Sequence, residues 1–162
     1  MKTFLVAAAV FLLAGLGVAQ INPGGASGAP SAHFPAHDLH QQIAQLVAEA
    51  KDKGGSGAML GDYGSYRIQL SVRARSGGAE VHAHWNDVIV VEKGRARLIT
   101  GGTVVGGESK ADGETVGTKI EGGQSHELGP GDVFTVRAGT PHQTLVSPGV
   151  IYAVVVVKIR EQ

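Results

Sequence analysis

The segment Tyr66 to Arg75 alternates almost perfectly between apolar and polar side chains. Successive side chains of a β-strand point to opposite faces, so the pattern predicts a half-buried antiparallel strand. More short strand-like segments follow, separated by turns rich in glycine, of which the chain has 25. They lie near residues 80–84, 87–92, 95–100, 117–121, 124–128, 132–137, 142–146 and 150–158. Many short strands without alternating helices predict an all-β sandwich or barrel.

The closing run Val150 to Val157 is apolar on both of its faces. Such a strand needs a cover on its outer face as well as its inner one. We expect that cover to be either the preceding helix or a second subunit, so a homodimer is one of two expectations.

An amphipathic helix is predicted ahead of the strands, over residues 38–53. Asp38 and Gln41 match a capping box at its start, and Gly54-Gly55 ends it. Apolar residues recur between them at helical spacing. They are Leu39, Ile43, Leu46, Val47 and Ala50. We expect this helix to pack on the outside of a sheet, and the β domain to span residues 60–162.

The N-terminus has the pattern of a secretory signal peptide over residues 1–19. A basic start at Lys2 precedes an apolar run from Phe4 to Val18, and small residues place the cut after Ala19. A retained membrane anchor is the alternative, but a span usually needs about 20 apolar residues and this run is shorter. The chain has no cysteine, which excludes a lipid-modified Cys and disulfides. We therefore expect an exported protein, periplasmic or secreted, without a stable membrane anchor after cleavage.

Residues 20–37 are rich in Gly, Pro, Ala and Ser, which predicts a flexible leader. His33 and His37 are four residues apart, but Pro35 between them disfavours a helix there, so we interpret them and His40 as solvated side chains.

Charge and length narrow the class of protein further. The 162 residues suit a single domain, and 14 basic residues balance 14 acidic ones. A neutral chain with scattered Lys and Arg lacks the basic footprint of a nucleic-acid-binding protein.

Two histidines, His82 and His84, alternate along one predicted strand and are expected to face the same side. A third, His142, follows a Gly/Pro turn after another strand. Neutral imidazole is the commonest nitrogen ligand of transition metals. Asp87 is the candidate carboxylate, since residues 87, 89 and 91 share one face.

Both histidine segments together resemble the two motifs of the cupin superfamily. The first combines a Gly, His82-Ala83-His84, an acidic residue at Asp87 and, after six intervening residues, Gly94; the second runs from Gly131 to His142 and includes Gly139. Asp87 stands where the family has Glu, and its spacing from His84 is one residue shorter than usual. The resemblance covers roughly residues 66–157.

The resemblance implies a cupin β-barrel, a double-stranded β-helix or jelly roll, with one N-terminal helix. It also implies a divalent ion, Fe, Mn, Ni or Zn, held by His82, His84 and His142, with Asp87 as the fourth ligand or as a residue that orients one. We expect Asp87 to matter less for metal affinity than His84. His126 is a candidate acid or base at the mouth, and Tyr66 and Trp85 are candidate pocket residues.

Two functions follow from such a site. One is an exported metal-dependent enzyme, a dioxygenase or isomerase of a small oxygenated molecule. The other is a non-catalytic module that binds or senses a metal or small ligand. Residues 103–123 resemble an insertion of some single-domain bacterial cupins, and they form either a lid over the mouth or a surface excursion.

Overall fold

The computed structural model describes residues 31–162. Within them it has one α-helix, α1 (Ala36–Lys53), a short 3-10 turn (Ala111–Gly113), and thirteen strands. The strands are β1 (Gly55–Asp62), β2 (Tyr66–Arg73), β3 (Ala79–His82), β4 (Trp85–Lys93), β5 (Ala96–Thr100), β6 (Thr103–Val105), β7 (Glu108–Ser109), β8 (Glu114–Gly117), β9 (Lys119–Glu121), β10 (Gln124–Leu128), β11 (Val133–Val136), β12 (His142–Leu145) and β13 (Tyr152–Arg160).

The strands form two main antiparallel sheets. The first has the order β1-β2-β13-β4-β11, the second has the order β10-β5-β12-β3-β8-β7, and β6 and β9 form a separate two-stranded ribbon. Val91 and Val154 of the first sheet share a buried cluster with Leu98 and Leu128 of the second. The core therefore lies between the sheets, and the predicted all-β class with one N-terminal helix is confirmed.

Helix α1 begins at Ala36, two residues before the predicted start at Asp38, so the last two residues assigned to the leader are helical. Pro35 precedes it with φ −58°, a value suited to helix entry, and proline has no N–H to leave unsatisfied there. Asp38 instead lies in the first turn, where a carboxylate interacts favourably with the helix dipole. Gly54 ends the helix with φ +97°, as the Gly-Gly pair predicts.

Helix α1 covers the outer face of the first sheet. Its Ile43 and Ala50 share a buried cluster with Leu70, Val72 and Ala153 of β2 and β13. Of the two covers predicted for the last strand, the helix is the one in the structure, and the homodimer stays a prediction.

Strand β2 has its polar face turned inward. Leu70 and Val72 pack under the helix, whereas Gln69, Ser71 and Arg73 line a cavity between the two sheets. Alternation alone distinguishes the two faces, but it does not reveal that the polar one faces a cavity instead of bulk solvent.

The insertion at residues 103–123 is built into the sheets. Strand β8 pairs with β3 from Ala79↔Gly117 to His82↔Glu114, and β6 pairs with β9. Strands β7 and β8 of the segment therefore extend the second sheet, and β6 and β9 form the separate ribbon.

Strand β1 was not predicted, because its glycines Gly55, Gly57 and Gly61 have low strand propensity. The predicted signal peptide and most of the leader lie outside the described residues. No helix within residues 31–162 is long and apolar enough to cross a membrane.

Candidate metal centre

Four ligand-type side chains converge between the sheets. Glu80 and His82 alternate on β3 and share a face, and His142 at the start of β12 lies directly opposite Glu80. One ligand atom from each of these three residues lies within 4.8 Å of the other two. Asp87 comes from β4 in the other sheet, with Oδ2 3.4 Å from His82 Nε2 and 4.0 Å from His142 Nε2. Both sheets therefore contribute to one centre.

Each histidine is held through Nδ1, which leaves Nε2 directed at the centre. His142 Nδ1 donates to the Thr140 carbonyl oxygen at 3.1 Å, and His82 Nδ1 donates to the Glu114 carboxylate. A donor role for Nδ1 places the lone pair of the neutral ring on Nε2. Hydrogen bonds of this kind orient metal-binding imidazoles and increase their basicity.

Each carboxylate is held by a cation on one oxygen. The Arg73 guanidinium donates to Glu80 Oε1 at 3.2 Å, and Oε2 lies 3.8 Å from His82 Nε2. Lys158 Nζ donates to Asp87 Oδ1 at 2.8 Å, so Oδ2 is the oxygen that faces the histidines. Each of the four side chains thus has a partner that holds it from the side facing away from the centre.

The charges of the site are set by burial and by this pairing. Burial opposes the charged form of His82, but its hydrogen bonds to Asp87 and Glu114 raise the pKa of the ring above the ordinary 6.5. Burial likewise opposes ionisation of Asp87, yet His82 and Lys158 lower the pKa of that carboxyl. Burial lowers the pKa of His142, and the neighbouring His82 ring lowers it further. In the absence of a metal, a proton on His82 Nε2 therefore faces the accepting Oδ2 of Asp87, 3.4 Å away.

His84 is not among the side chains whose ligand atoms lie together at the centre, although it lines a neighbouring cavity that His82 also lines. Strand β3 ends at His82 and the chain bends at Ala83, whose amide donates to the Gly113 carbonyl at 3.1 Å. His84 is exposed beyond the bend, because strand alternation no longer applies there. Glu80 occupies the place beside His82 that the sequence analysis assigned to His84.

The short spacing in the first motif was the signal for this shift. Only two residues separate His84 from Asp87, whereas four separate His82 from it. Strand β3 instead makes Glu80 and His82 the alternating pair. The remaining motif histidine, His142, is placed as predicted.

The two motif glycines have backbone roles. Gly94 has φ +75°, and a Cβ there would lie 2.1 Å from the Ile151 carbonyl oxygen. Gly139, also with φ +75°, donates its amide to the His82 carbonyl at 2.8 Å. The second motif is thereby tied to the end of β3, next to a ligand.

The other candidates occupy different places. His126 bonds Thr100 Oγ1 through Nε2 at 3.0 Å and packs on Phe134, and it lines neither cavity beside the centre. Tyr66 is exposed and stacks on Tyr63. Trp85 is buried and lines a cavity beside the centre.

The four converging groups line an inner cavity of about 130 Å³ between the sheets. Gln69, Ser71, Thr144, Tyr152 and Lys158 are among its other polar walls. An outer cavity of about 650 Å³ shares Gln69, His82 and Lys158 with it and is closed on one side by residues 112–114 of the insertion. Two imidazole nitrogens with one or two carboxylate oxygens suit Fe, Mn, Ni or Zn as divalent ions. The residues present therefore fit such an ion.

Comparison with known proteins defines the fold. No family model matches the sequence, and no curated protein matches it. Among solved structures, the Cnp3 cupin domain of Schizosaccharomyces pombe is similar with a TM-score of 0.50 and 8% identity, over 66% of this chain and 65% of that one. The chain has the cupin fold, as the two motifs predicted.

Two further structures resemble this chain with lower scores. The polyketide cyclase RemF of Streptomyces resistomycificus has 20% identity and a TM-score of 0.47, over 68% of this chain and 69% of that one. KdgF from Halomonas sp. has 14% identity and a TM-score of 0.48, over 67% and 82%. Such likeness carries no assignment of activity, which has to come from the site.

Proposed function

We propose that this chain is an exported metal-binding protein whose divalent ion is held by Glu80, His82 and His142, with Asp87 as a fourth ligand. The observation that carries the proposal is that all four side chains turn one ligand atom to a common centre while a partner fixes the rest of each group. Held in this way, the ligands need little further ordering when an ion binds.

We further propose that the site acts on a small oxygenated molecule as a dioxygenase or isomerase. A bound ion of this type supplies Lewis-acid polarisation of ligand oxygens or, when redox-active, activation of oxygen. The small size of the inner cavity supports a small ligand. Burial raises the pKa of Tyr152 to about 12, so this wall residue keeps its hydroxyl proton at neutral pH and can donate it to a ligand oxygen.

Metal analysis of protein purified without a histidine tag tests the first part. We expect about one divalent ion per chain, and loss of binding in the double variant His82→Ala, His142→Ala. His126→Ala is the matched control, since His126 is half-buried on β10 away from the centre, and it should keep the metal. Wild-type protein that stays metal-free after incubation with Fe, Mn, Ni and Zn would refute the proposal.

Turnover tests the second part. Oxygen uptake or product formation with catechols, diols or keto acids, abolished by the double variant, is the expected result. A metal-loaded protein that binds such compounds without converting them would support the non-catalytic alternative instead. Export is checked separately by the mass of the mature protein, which should begin at Gln20 after cleavage behind Ala19.

A further inference from the structure

The outer cavity brings cationic side chains to the mouth of the proposed metal site. Arg67 on β2, Lys158 and Arg160 on β13, and Trp85 on β4 all line it. They lie on three neighbouring strands and are close in register, since Arg67 pairs with Lys158 and Arg160 pairs with Trp85. The cluster therefore occupies one end of the first sheet, beyond the metal ligands.

Trp85 supports the two guanidinium groups. Its ring is buried, and the Cζ atoms of Arg67 and Arg160 lie 4.5 and 5.3 Å from its centroid. Contacts of this type hold a guanidinium plane against the aromatic ring and leave its N–H edge for an anion. Two arginines fixed in this way form a pre-ordered anion site.

The carboxylate partners of these cationic side chains determine how much further negative charge the outer cavity can accept. Lys158 is bonded to Asp87, and Arg67 Nε is bonded to Asp62 Oδ2 at 2.9 Å. Arg160 is exposed and has no carboxylate oxygen of residues 31–162 within 4.0 Å, and its charge acts on Asp62 only at longer range.

Two acidic residues line the same cavity: Glu114, which is bonded to His82, and the exposed Asp112. Their charges favour a singly charged group over a doubly charged phosphate.

We infer that the outer cavity binds the carboxylate of a small organic acid, through Arg160 and Arg67 over Trp85. The inner and outer cavities share Gln69, His82 and Lys158, so a single molecule can place its carboxylate on the arginines and a second oxygen group at the metal centre. This inference rests on the proposed function and names the substrate class of that site. Planar guanidinium and carboxylate groups pair through two parallel hydrogen bonds, which fixes the orientation of the acid.

The test uses glutarate, a dicarboxylate with one carboxylate for the arginines and one for the metal centre, and the fluorescence of Trp85, the only tryptophan in the chain. Titration into zinc-loaded protein should change the fluorescence, and Arg160→Gln should weaken binding about tenfold. Arg97→Gln is the matched control, because Arg97 is an exposed arginine of β5 that lines neither cavity. Zinc content is measured in every sample and should be unchanged by both substitutions.

Three results would overturn the inference: no binding of glutarate by wild-type protein at millimolar concentration, equal binding by wild type and Arg160→Gln, or tighter binding of inorganic phosphate than of glutarate. Repeating the titration without metal separates this inference from the proposed metal site. If the chain takes up no zinc but glutarate binding still depends on Arg160, the metal proposal fails and the anion site stands.

Discussion

At the scale of single residues, the candidate site depends on which side chains are turned inward. His82 is buried and has partners on both ring nitrogens, whereas His84 is exposed two residues later. Asp87 is buried between His82 and Lys158, so it is better placed than His84 to hold an ion. We therefore propose the opposite order of importance to the one expected from the sequence.

We predict that His82→Ala abolishes tight metal binding, that Asp87→Asn weakens it, and that His84→Ala leaves it within about twofold of wild type. Loss of a direct ligand costs far more affinity than loss of an exposed neighbour. Isothermal titration with zinc gives the three affinities, and thermal unfolding checks that each variant is folded. A larger loss for His84→Ala than for Asp87→Asn would restore the order expected from the sequence.

Metal affinity should rise with pH. The folded-state pKa of His82 is raised above 6.5, so below that pKa an ion has to displace a proton from the ring. Displacement of one proton predicts about a tenfold gain in affinity per pH unit until that folded-state pKa is passed. Competition with a chromogenic chelator at several pH values measures the slope, and a flat profile would show that His82 is already neutral.

The stability of the metal-free protein should fall, and not rise, as the pH increases through the pKa of His82. A raised pKa of His82 contributes stability that is fully present below 6.5 and is lost as the pH rises through the folded-state value. The lowered pKa of Asp87 contributes stability above 3.8 that is lost on acidification through its folded-state value. Urea unfolding in the presence of a chelator should therefore give the highest stability between these limits. His82→Ala should remove the loss on the alkaline side.

At the scale of elements, strand β8 has a function that its position in an insertion does not suggest. Its first residue, Glu114, lies opposite His82 in register and accepts the hydrogen bond from Nδ1. The insertion thereby orients a proposed ligand of the core fold.

We predict that Glu114→Gln lowers metal affinity about tenfold or more. The Gln side chain can still accept the hydrogen bond from His82, but it lacks the negative charge of the Glu114 carboxylate. The variant should also lower the pKa of His82 and move the pH profile of metal binding to lower pH, an effect that a purely structural loss would not produce. Glu121→Gln is the control, since Glu121 is an exposed acid on β9 of the same insertion. Unchanged affinity and pH profile in Glu114→Gln would show that the hydrogen bond has no part in binding.

The turn after β4 gives a stability prediction. Gly94→Ala should lower the free energy of unfolding by at least about 3 kcal/mol, because a clash with the Ile151 carbonyl adds to the cost of a left-handed backbone. Gly64→Ala is the matched control: Gly64 has φ +79° but nothing within 4 Å of a Cβ, so only about 1 to 2 kcal/mol should be lost. Chemical denaturation compares the two, and equal losses would contradict the steric argument.

At the scale of the whole molecule, local patterns predicted the fold well. Alternation, glycine turns and the Asp38 to Lys53 periodicity were enough for an all-β domain with one covering helix, because these signals span only a few residues each. The site was predicted in part: His82, His142 and Asp87 lie together as expected.

The remaining members of the site were missed because they are joined across long stretches of chain. Arg73, Glu114 and Lys158 reach the centre from β2, β8 and β13, and strand pairing that single-sequence patterns do not encode brings them there. Glu80 was missed for a different reason: the His-x-His pattern led us to pair His82 with His84 on one face, whereas strand β3 pairs His82 with Glu80.

The pairing of every candidate ligand with a second residue has a consequence for assembly. A site whose side chains are already anchored by the finished sheets does not depend on the ion for its folding, unlike small domains that collapse around a metal. The polypeptide could therefore reach its final shape before the proposed ion binds. For an exported chain, the ion present in the destination compartment, together with the geometry of the anchored ligands, would then determine which metal the protein carries.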